Sequence, residues 1–181
     1  MQKRQKEKIR LELLSLRDSM SEKEVSEKSS IICENLTAIP EIQSSKIIAA
    51  YFPIRNEVDI KPFIIWCIKK KKTVLLPVTK KDKIEFCKID SLGKLEEGKF
   101  GIFEPKDKYS FDGEIDVILV PGVCFDEKMH RLGYGKGYYD KFLKNSSSYK
   151  IGICYAFQVV SELPIETFDV PLEEVVTEDI R

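Results

Sequence analysis

Residues 116–143 read DVILVPGVCFDEKMHRLGYGKGYYDKFL, and this stretch decides the fold. The run DVILV is short, apolar and closed by Pro121 and Gly122, which predicts a strand buried on both faces. Gly133, Gly135 and Gly137 then alternate with Tyr134 and Lys136, and the YYDKFL that follows predicts a helix opened by Gly137. A buried strand, a glycine-rich loop and a helix, in that order, form the repeating unit of an α/β protein.

The flanking sequence extends this unit in both directions. Residues 46–52, KIIAAYF, and 73–78, TVLLPV, are apolar runs of strand length, and residues 150–155 supply another. Asp59 is placed to cap a helix running through Trp66 and Ile68, with Pro62 in the first turn, where a missing N–H costs little. Trp66, the only tryptophan, has helical spacing and is expected to pack. Near the start, Ile9, Leu13, Leu16 and Met20 make one apolar helical stripe; Ser21 and Glu24 form a capping-box pattern for a second helix from Glu22 to about Leu36, ending before Pro40. Residues 83–105 read as short antiparallel strands and turns. No repeat or Pro/Gly/Ser linker divides the chain, so residues 1–181 are expected to form a single domain, a mostly parallel sheet covered by helices.

Composition narrows the functional classes. The 181 residues carry 30 basic and 30 acidic side chains, without the basic excess of a protein that mainly grips nucleic-acid phosphates. The apolar runs fall far short of the ~20 residues that span a bilayer, and the charged opening MQKRQKEKIRLELL does not resemble a secretory signal. A cytoplasmic protein is expected, with no nucleic-acid, membrane or obligate protein partner. Cys33, Cys67, Cys87, Cys124 and Cys154 are odd in number and never in C-x-x-C spacing, so they predict reduced, mostly buried thiols rather than a disulfide framework or zinc site. His130 is the one histidine, which excludes a multi-histidine metal centre, and no G-x-S-x-G elbow accompanies it. Beside Arg131 in a polar loop, it is expected at the surface and without a role.

The loop that follows the buried strand concentrates the chemistry. Alternate glycines permit positive φ and close backbone approach, so amides there can converge on an anion, helped by the N-terminus of the following helix. Arg131 and Lys136 add formal charge, Arg131 as a fork suited to phosphate. An isolated G-x-G-x-G is more often an ordinary tight turn, but a plain turn needs neither cation. The spacing matches neither the Walker loop nor the dinucleotide fingerprint.

The segment resembles the signature of the 5-formyltetrahydrofolate cyclo-ligase family, also called methenyltetrahydrofolate synthetases. Pro121, Gly122, Phe125, Asp126, Arg131, Leu132, Gly133, Gly135, Gly137, Tyr138, Tyr139 and Asp140 all match it. The resemblance runs through the chain in order: Lys6 and Arg10 as K-x-x-x-R, PIRNEVD at 53–59, GIFEP at 101–105 and FDVPLEEVVTED at 168–179. Two positions depart: Met129 stands where the family usually has glycine and Glu173 where it usually has aspartate. A backbone requiring positive φ at Met129 would disfavour methionine.

The resemblance implies a three-layer α/β/α fold with a mostly parallel central sheet, similar to the sugar-phosphate isomerase and CoA-transferase-like folds. It also implies conversion of 5-formyltetrahydrofolate, with ATP as cosubstrate and Mg²⁺ as cofactor, to 5,10-methenyltetrahydrofolate, ADP and phosphate. By carry-over, Lys6, Arg10 and the run Arg131, Leu132, Gly133, Tyr134, Gly135, Lys136, Gly137, Tyr138 and Tyr139 are expected to hold ATP. Arg131 and Lys136 are the expected catalytic cations. Phe52, Glu57 and the loop from Tyr134 through Gly135, Lys136 and Gly137 to Tyr138 are expected to contact the folate, and Asp140 and Asp169 to hold Mg²⁺. Three rivals stay open: an ATP-independent isomerase- or transferase-type enzyme, by analogy with folds similar to the cyclo-ligase fold; a noncatalytic phosphate- or nucleotide-binding module; and a nucleic-acid-binding role, which would need a basic face joining the lysine runs at 69–72 and 80–83.

Overall fold

A computed structural model describes residues 2–81, 83–98, 101–166 and 169–179. Its organising element is a six-stranded sheet in the order β11-β9-β6-β1-β2-β3, formed by β1 (Ile47–Ala49), β2 (Thr73–Lys80), β3 (Lys83–Ile89), β6 (Val117–Pro121), β9 (Tyr149–Ile153) and β11 (Glu174–Val176). Every pairing is parallel except β2 with β3, an antiparallel edge. The hairpin β4 (Leu95–Glu97) and β5 (Phe103–Pro105) is a two-stranded sheet of its own, tied to β2 where the Thr79 amide donates to Glu104 Oε1 at 3.1 Å, and a three-stranded sheet joins β7 (Cys124–Asp126), β8 (Arg131–Leu132) and β10 (Val159–Val160).

Alternate strand residues face opposite layers, as the pleat requires. Ile48, Val117, Leu119 and Ile151 join Phe63, Ile64 and Cys67 of α4 (Lys61–Lys69) and Ile32 and Leu36 of α2 (Glu22–Ala38) in one core. Ala49, Ile118 and Val120 join Leu143 of α5 (Tyr138–Leu143) and Phe125 in the other. The expected three layers are present. The chain leaves β1 through α4 toward β2, and leaves β6 through α5 toward β9 on the opposite face. The carboxyl ends of the neighbours β1 and β6 therefore flank a topological switch point, where open α/β sheets bind ligands.

Several local expectations are refined. The strand expected over 46–52 is only three residues long. The amide of Ala50 still donates to Leu75 O at 2.9 Å, but the chain then bends toward Pro53, with the Tyr51 hydroxyl donating to Val58 O at 3.0 Å. The N-cap of α4 is Ile60 rather than Asp59, although Asp59 Oδ1 accepts from Lys61 N at 3.0 Å. Pro40 opens a short helix, α3 (Pro40–Ser44), and does more than stop α2. The Ser21–Glu24 capping box, the helix opened by Gly137 and the burial of all five cysteines are as expected, and Trp66 stacks on Phe63 with ring centroids 5.7 Å apart. No helix among the described residues is long and apolar enough to cross a membrane.

The largest correction concerns α1 (Gln2–Asp18). Its buried residues are Lys6, Leu13 and Arg17, whereas Leu16, placed on the apolar stripe by spacing, is 54% exposed and Met20 lies beyond the helix. The buried face is rotated toward residues 6, 10, 13 and 17 because α1 packs against polar groups of the switch-point loops, not only against a core.

Candidate active site

The loops after β1 and β6 meet at this switch point, and α1 closes over both. After β1, Arg55 and Asn56 adopt positive φ (46° and 55°), and Asn56 Nδ2 donates to the carbonyls of Arg17 and Met20 at 3.2 and 3.1 Å, tying the loop to the end of α1. Asn is among the residues that tolerate this conformation. The turn directs Glu57 inward, where Oε2 accepts from the Ile54 amide at 3.1 Å and Oε1 accepts from the Tyr134 hydroxyl. Burial pushes the Glu57 carboxyl above its ordinary range; the Arg17 guanidinium, the Tyr134 hydroxyl and the Ile54 amide pull the other way without cancelling it.

Sequence reasoning missed Arg17. It is 1% exposed, donates from Nη2 to the Tyr134 hydroxyl at 2.6 Å and from Nε to Arg55 O at 3.1 Å, and sets Nη1 3.9 Å from Glu57 Oε1. The available signal was its spacing: seven residues after Arg10, two helical turns along the same face.

The segment after β6 divides in two. First comes a turn in which the buried Asp126 accepts from the amides of Lys128 (3.0 Å), His130 (2.9 Å) and Leu163 (3.0 Å) and pairs with His130 Nδ1 at 3.1 Å. His130, expected at the surface, is thus partly buried and held by the only buried carboxylate of the turn. Met129 adopts φ 66°, the left-handed conformation that suits glycine, and the amide of Leu172 donates to its carbonyl at 2.9 Å. Glu173, the other departure from the family, accepts from Lys150 N at 2.6 Å and Lys150 Nζ at 3.1 Å, locking the start of β9 to β11.

The glycine segment follows. Arg131 is buried; Nη2 donates to Asp140 Oδ1 at 2.7 Å, Nη1 to Pro121 O at 3.3 Å, and its Cζ lies 5.5 Å from the Tyr139 ring centroid. A Cβ on Gly133 would stand 2.7 Å from Arg131 Nη1, so a side chain there would force the guanidinium to shift. Arg10 Nε donates to Gly133 O at 2.8 Å and its guanidinium lies 3.6 Å from a Cβ built on Gly135. Gly137, at φ 67°, is the N-cap of α5. Two buried polar atoms in this segment have no partner among the described residues, Arg131 Nε and the Tyr139 hydroxyl.

The structure therefore gathers Arg10, Arg131, Tyr139, Asp140 and the glycine backbone, and links Tyr134 to Glu57. Lys6, on the same face of α1 as Arg10, pairs with Glu166 at 2.9 Å and Asp169 at 3.1 Å, and Asp169 Oδ2 also accepts from the Glu166 amide at 2.8 Å. Burial opposes the Lys6 charge, but these carboxylates outweigh it and hold the ammonium above its usual range. Phe52 sets its ring 5.2 Å from that of Phe103. Lys136 is exposed, with no polar partner among the described residues. Leu132 turns into a core cluster with Leu13 and Val123, which leaves only its backbone near the loop. Tyr138 lines a separate cavity of about 440 Å³ beside Phe142 and Ile84. Phe168, which opens the C-terminal motif, lies outside the described residues.

Asp140 and Asp169 fit a magnesium ion chemically. Each commits one oxygen to protein donors and offers a second without a partner among the described residues. No group of three or more metal-type side chains gathers among those residues, and an ion held largely by phosphate and water needs none.

Comparison with known proteins identifies the family. Residues 2–178 match the 5-formyltetrahydrofolate cyclo-ligase family. The 5-formyltetrahydrofolate cyclo-ligase of Haemophilus influenzae is 32% identical over 96% of this chain and 97% of its own. The NMR structure of Aquifex aeolicus 5,10-methenyltetrahydrofolate synthetase superposes with a TM-score of 0.87 at 39% identity, covering 97% of this chain and 90% of that one. A 5,10-methenyltetrahydrofolate synthetase from Mycoplasma pneumoniae gives 0.79 at 28% identity, covering 96% and 99%.

Proposed function

The chain belongs to the 5-formyltetrahydrofolate cyclo-ligase family and is an enzyme of that kind, and from this premise we propose an ATP- and Mg²⁺-dependent cyclisation of 5-formyltetrahydrofolate carried out at the switch point by residues 1–181 as one domain. The observation that carries the proposal is the convergence of Arg10 and Arg131 on one glycine loop, with buried donor capacity left over at Arg131 Nε and Tyr139. Buried polar groups are ordinarily satisfied, so unspent capacity of this kind favours a polar ligand.

The N5 formyl group is an amide whose oxygen is a poor leaving group. The formyl oxygen attacks the γ-phosphorus of ATP and ADP departs; N10 then attacks the activated carbon, the C–O bond breaks, phosphate leaves, and N10 gives up its proton. Such phosphoryl transfer depends on positioning and charge stabilisation more than on covalent help from the protein. Arg131 and Lys136 are the catalytic cations: Arg131 meets charge on the transferring group, and Lys136, exposed and without a polar partner among the described residues, is available to the phosphates. Arg10, Lys6 and the amides from Gly133 to Tyr139 seat the nucleotide. Asp140 and Asp169 would hold magnesium, which would supply neutralisation of phosphate charge. Phe52 offers an aromatic face and Glu57 an acceptor for the pterin N–H groups. A cytoplasmic setting belongs to the same reading.

The test is the ultraviolet absorbance of methenyltetrahydrofolate formed by purified protein, with ATP, Mg²⁺ and 5-formyltetrahydrofolate omitted in turn. Product is expected only with all three, at one ADP per product. Product formed without ATP would overturn the mechanism.

A further inference from the structure

Arg17 is almost fully buried, yet its donors reach polar groups of two loops that follow different strands. Nη2 donates to the Tyr134 hydroxyl at 2.6 Å, and that hydroxyl donates onward to Glu57 Oε1. Nη1 lies 3.9 Å from the same carboxylate oxygen, and Nε closes on Arg55 O at 3.1 Å. Its Cζ is also 5.7 Å from the Tyr134 ring centroid. One guanidinium thus touches the turn that presents Glu57, the tyrosine that caps Glu57, and the carboxylate itself.

We infer that Arg17 is a positioning residue: it keeps Glu57 ionised and aimed, with Tyr134 as the intermediate, so that Glu57 can accept hydrogen bonds from the donor edge of the reduced pterin. The inference rests on the folate reading of the site given above. The groups facing Glu57 are Arg17 from α1, Arg55 and the Ile54 amide from its own loop, Tyr134 from the glycine segment, Tyr139 from α5 and Tyr51 after β1. The three tyrosines are neutral at physiological pH, and burial pushes each hydroxyl further up. Arg55 is on the exposed side of the turn, with a side chain 56% exposed. Among the described residues, Arg17 is consequently the one desolvated cation at the carboxylate. Burial favours the protonated acid, which would present a donor where the pterin needs an acceptor; Arg17 opposes that outcome.

Carboxyl-¹³C-labelled glutamate in the full chain, with the Glu57 resonance assigned by its absence from Glu57→Gln, reads the ionisation directly. Arg17→Met is expected to move the Glu57 titration to higher pH by about one unit or more, the size of the effect of an opposite charge at such a distance. Arg17→Lys should restore much of it. Tyr134→Phe, which keeps the ring of a residue 40% exposed and removes only its hydroxyl, should move it in the same direction by less. In turnover assays across pH, Arg17→Met should raise the folate KM increasingly as pH falls, approaching about tenfold below both titrations for a one-unit shift, with a smaller change in kcat, and should add nothing in a Glu57→Gln background. Glu57 titrations that coincide in wild type, Arg17→Met and Tyr134→Phe would overturn the inference. So would a loss of kcat/KM in Arg17→Met that is equal at every pH. A shifted Glu57 in a protein whose wild type makes no methenyltetrahydrofolate supports the clamp and overturns the substrate reading instead.

Discussion

Two adjoining pieces of one segment obey opposite rules. In the turn Asp126–His130, a buried carboxylate takes three backbone amides and an imidazole, and its acceptors are spent on the protein. In the stretch from Arg131 to Asp140, a buried guanidinium nitrogen and a buried hydroxyl have no partner among the described residues, Lys136 projects into solvent, and two glycines hold positive φ. Satisfied groups build a rigid turn. Unsatisfied groups, held in place by that turn, are what a ligand can use. The contrast also explains why α1 buries cations: Lys6, Arg10 and Arg17 are divided among the three loops of the site.

The sharpest break in this comparison is expected at Arg131. Arg131→Ala should lower kcat by about 10²- to 10³-fold, the range seen when one preorganised donor is removed from a developing charge, with a smaller change in folate KM. Stability should suffer less than activity, because Asp140 is 22% exposed and its carboxylate can rehydrate when its partner is lost. Steady-state kinetics beside a thermal melt decide the matter; an unchanged kcat with a raised KM would make Arg131 a binding residue alone.

Asp126→Asn tests the other half. An amide keeps one acceptor but turns N–H groups toward backbone donors, so a loss of about 2 kcal/mol is expected, or about 4–8 °C in Tm for a chain of this size. The pH dependence has a definite sign. Burial alone would raise the Asp126 carboxyl, but the amides of His130 and Leu163 and the His130 ring outweigh it and hold it below its ordinary 3.8. Its stabilisation is therefore present above pH 3.8 and is lost as pH falls through the lower folded value. Denaturant midpoints followed from pH 6 down to acid should fall more steeply for the parent than for Asp126→Asn. Parallel curves would mean that the turn does not depend on the charge.

What the sequence disclosed follows from how far each signal reaches. Short apolar runs mark β1, β2, β6 and β9 because a strand buried on both faces has no polar side, and the glycine loop is legible because its backbone needs are local. The partners of α1 were not legible in the same way. Periodicity selects the most apolar stripe, Ile9 to Met20, and misses the buried one because Lys6 and Arg17 are buried by long-range pairing with Asp169 and Glu57, 163 and 40 residues away. The strand Glu174–Val176 is three residues long and carries two apolar side chains, too few to show a period. The family motif marked Lys6, Arg10, Glu57, Asp140 and Asp169, and it says nothing of Arg17.

The smallest effect is expected at Met129, the position where the family usually has glycine. Its φ of 66° is one that an L side chain adopts at a cost of about 1 kcal/mol, so Met129→Gly relieves strain in the folded turn. Two losses oppose that gain. The methionine packs against the cluster around Phe125 and Leu172, and glycine leaves the unfolded chain with more freedom to surrender, worth about 0.5–1 kcal/mol. These terms are similar in size and opposite in sign, and the turn itself is fixed by Asp126 rather than by residue 129. Met129→Gly should accordingly shift Tm by no more than about 4 °C in either direction and leave kcat where it was. Thermal melts and turnover under saturating ATP and folate measure both quantities. A fall in kcat without a fall in Tm would mean that the methionine side chain sets the position of Arg131, two residues on, and that the satisfied turn and the unsatisfied loop cannot be separated.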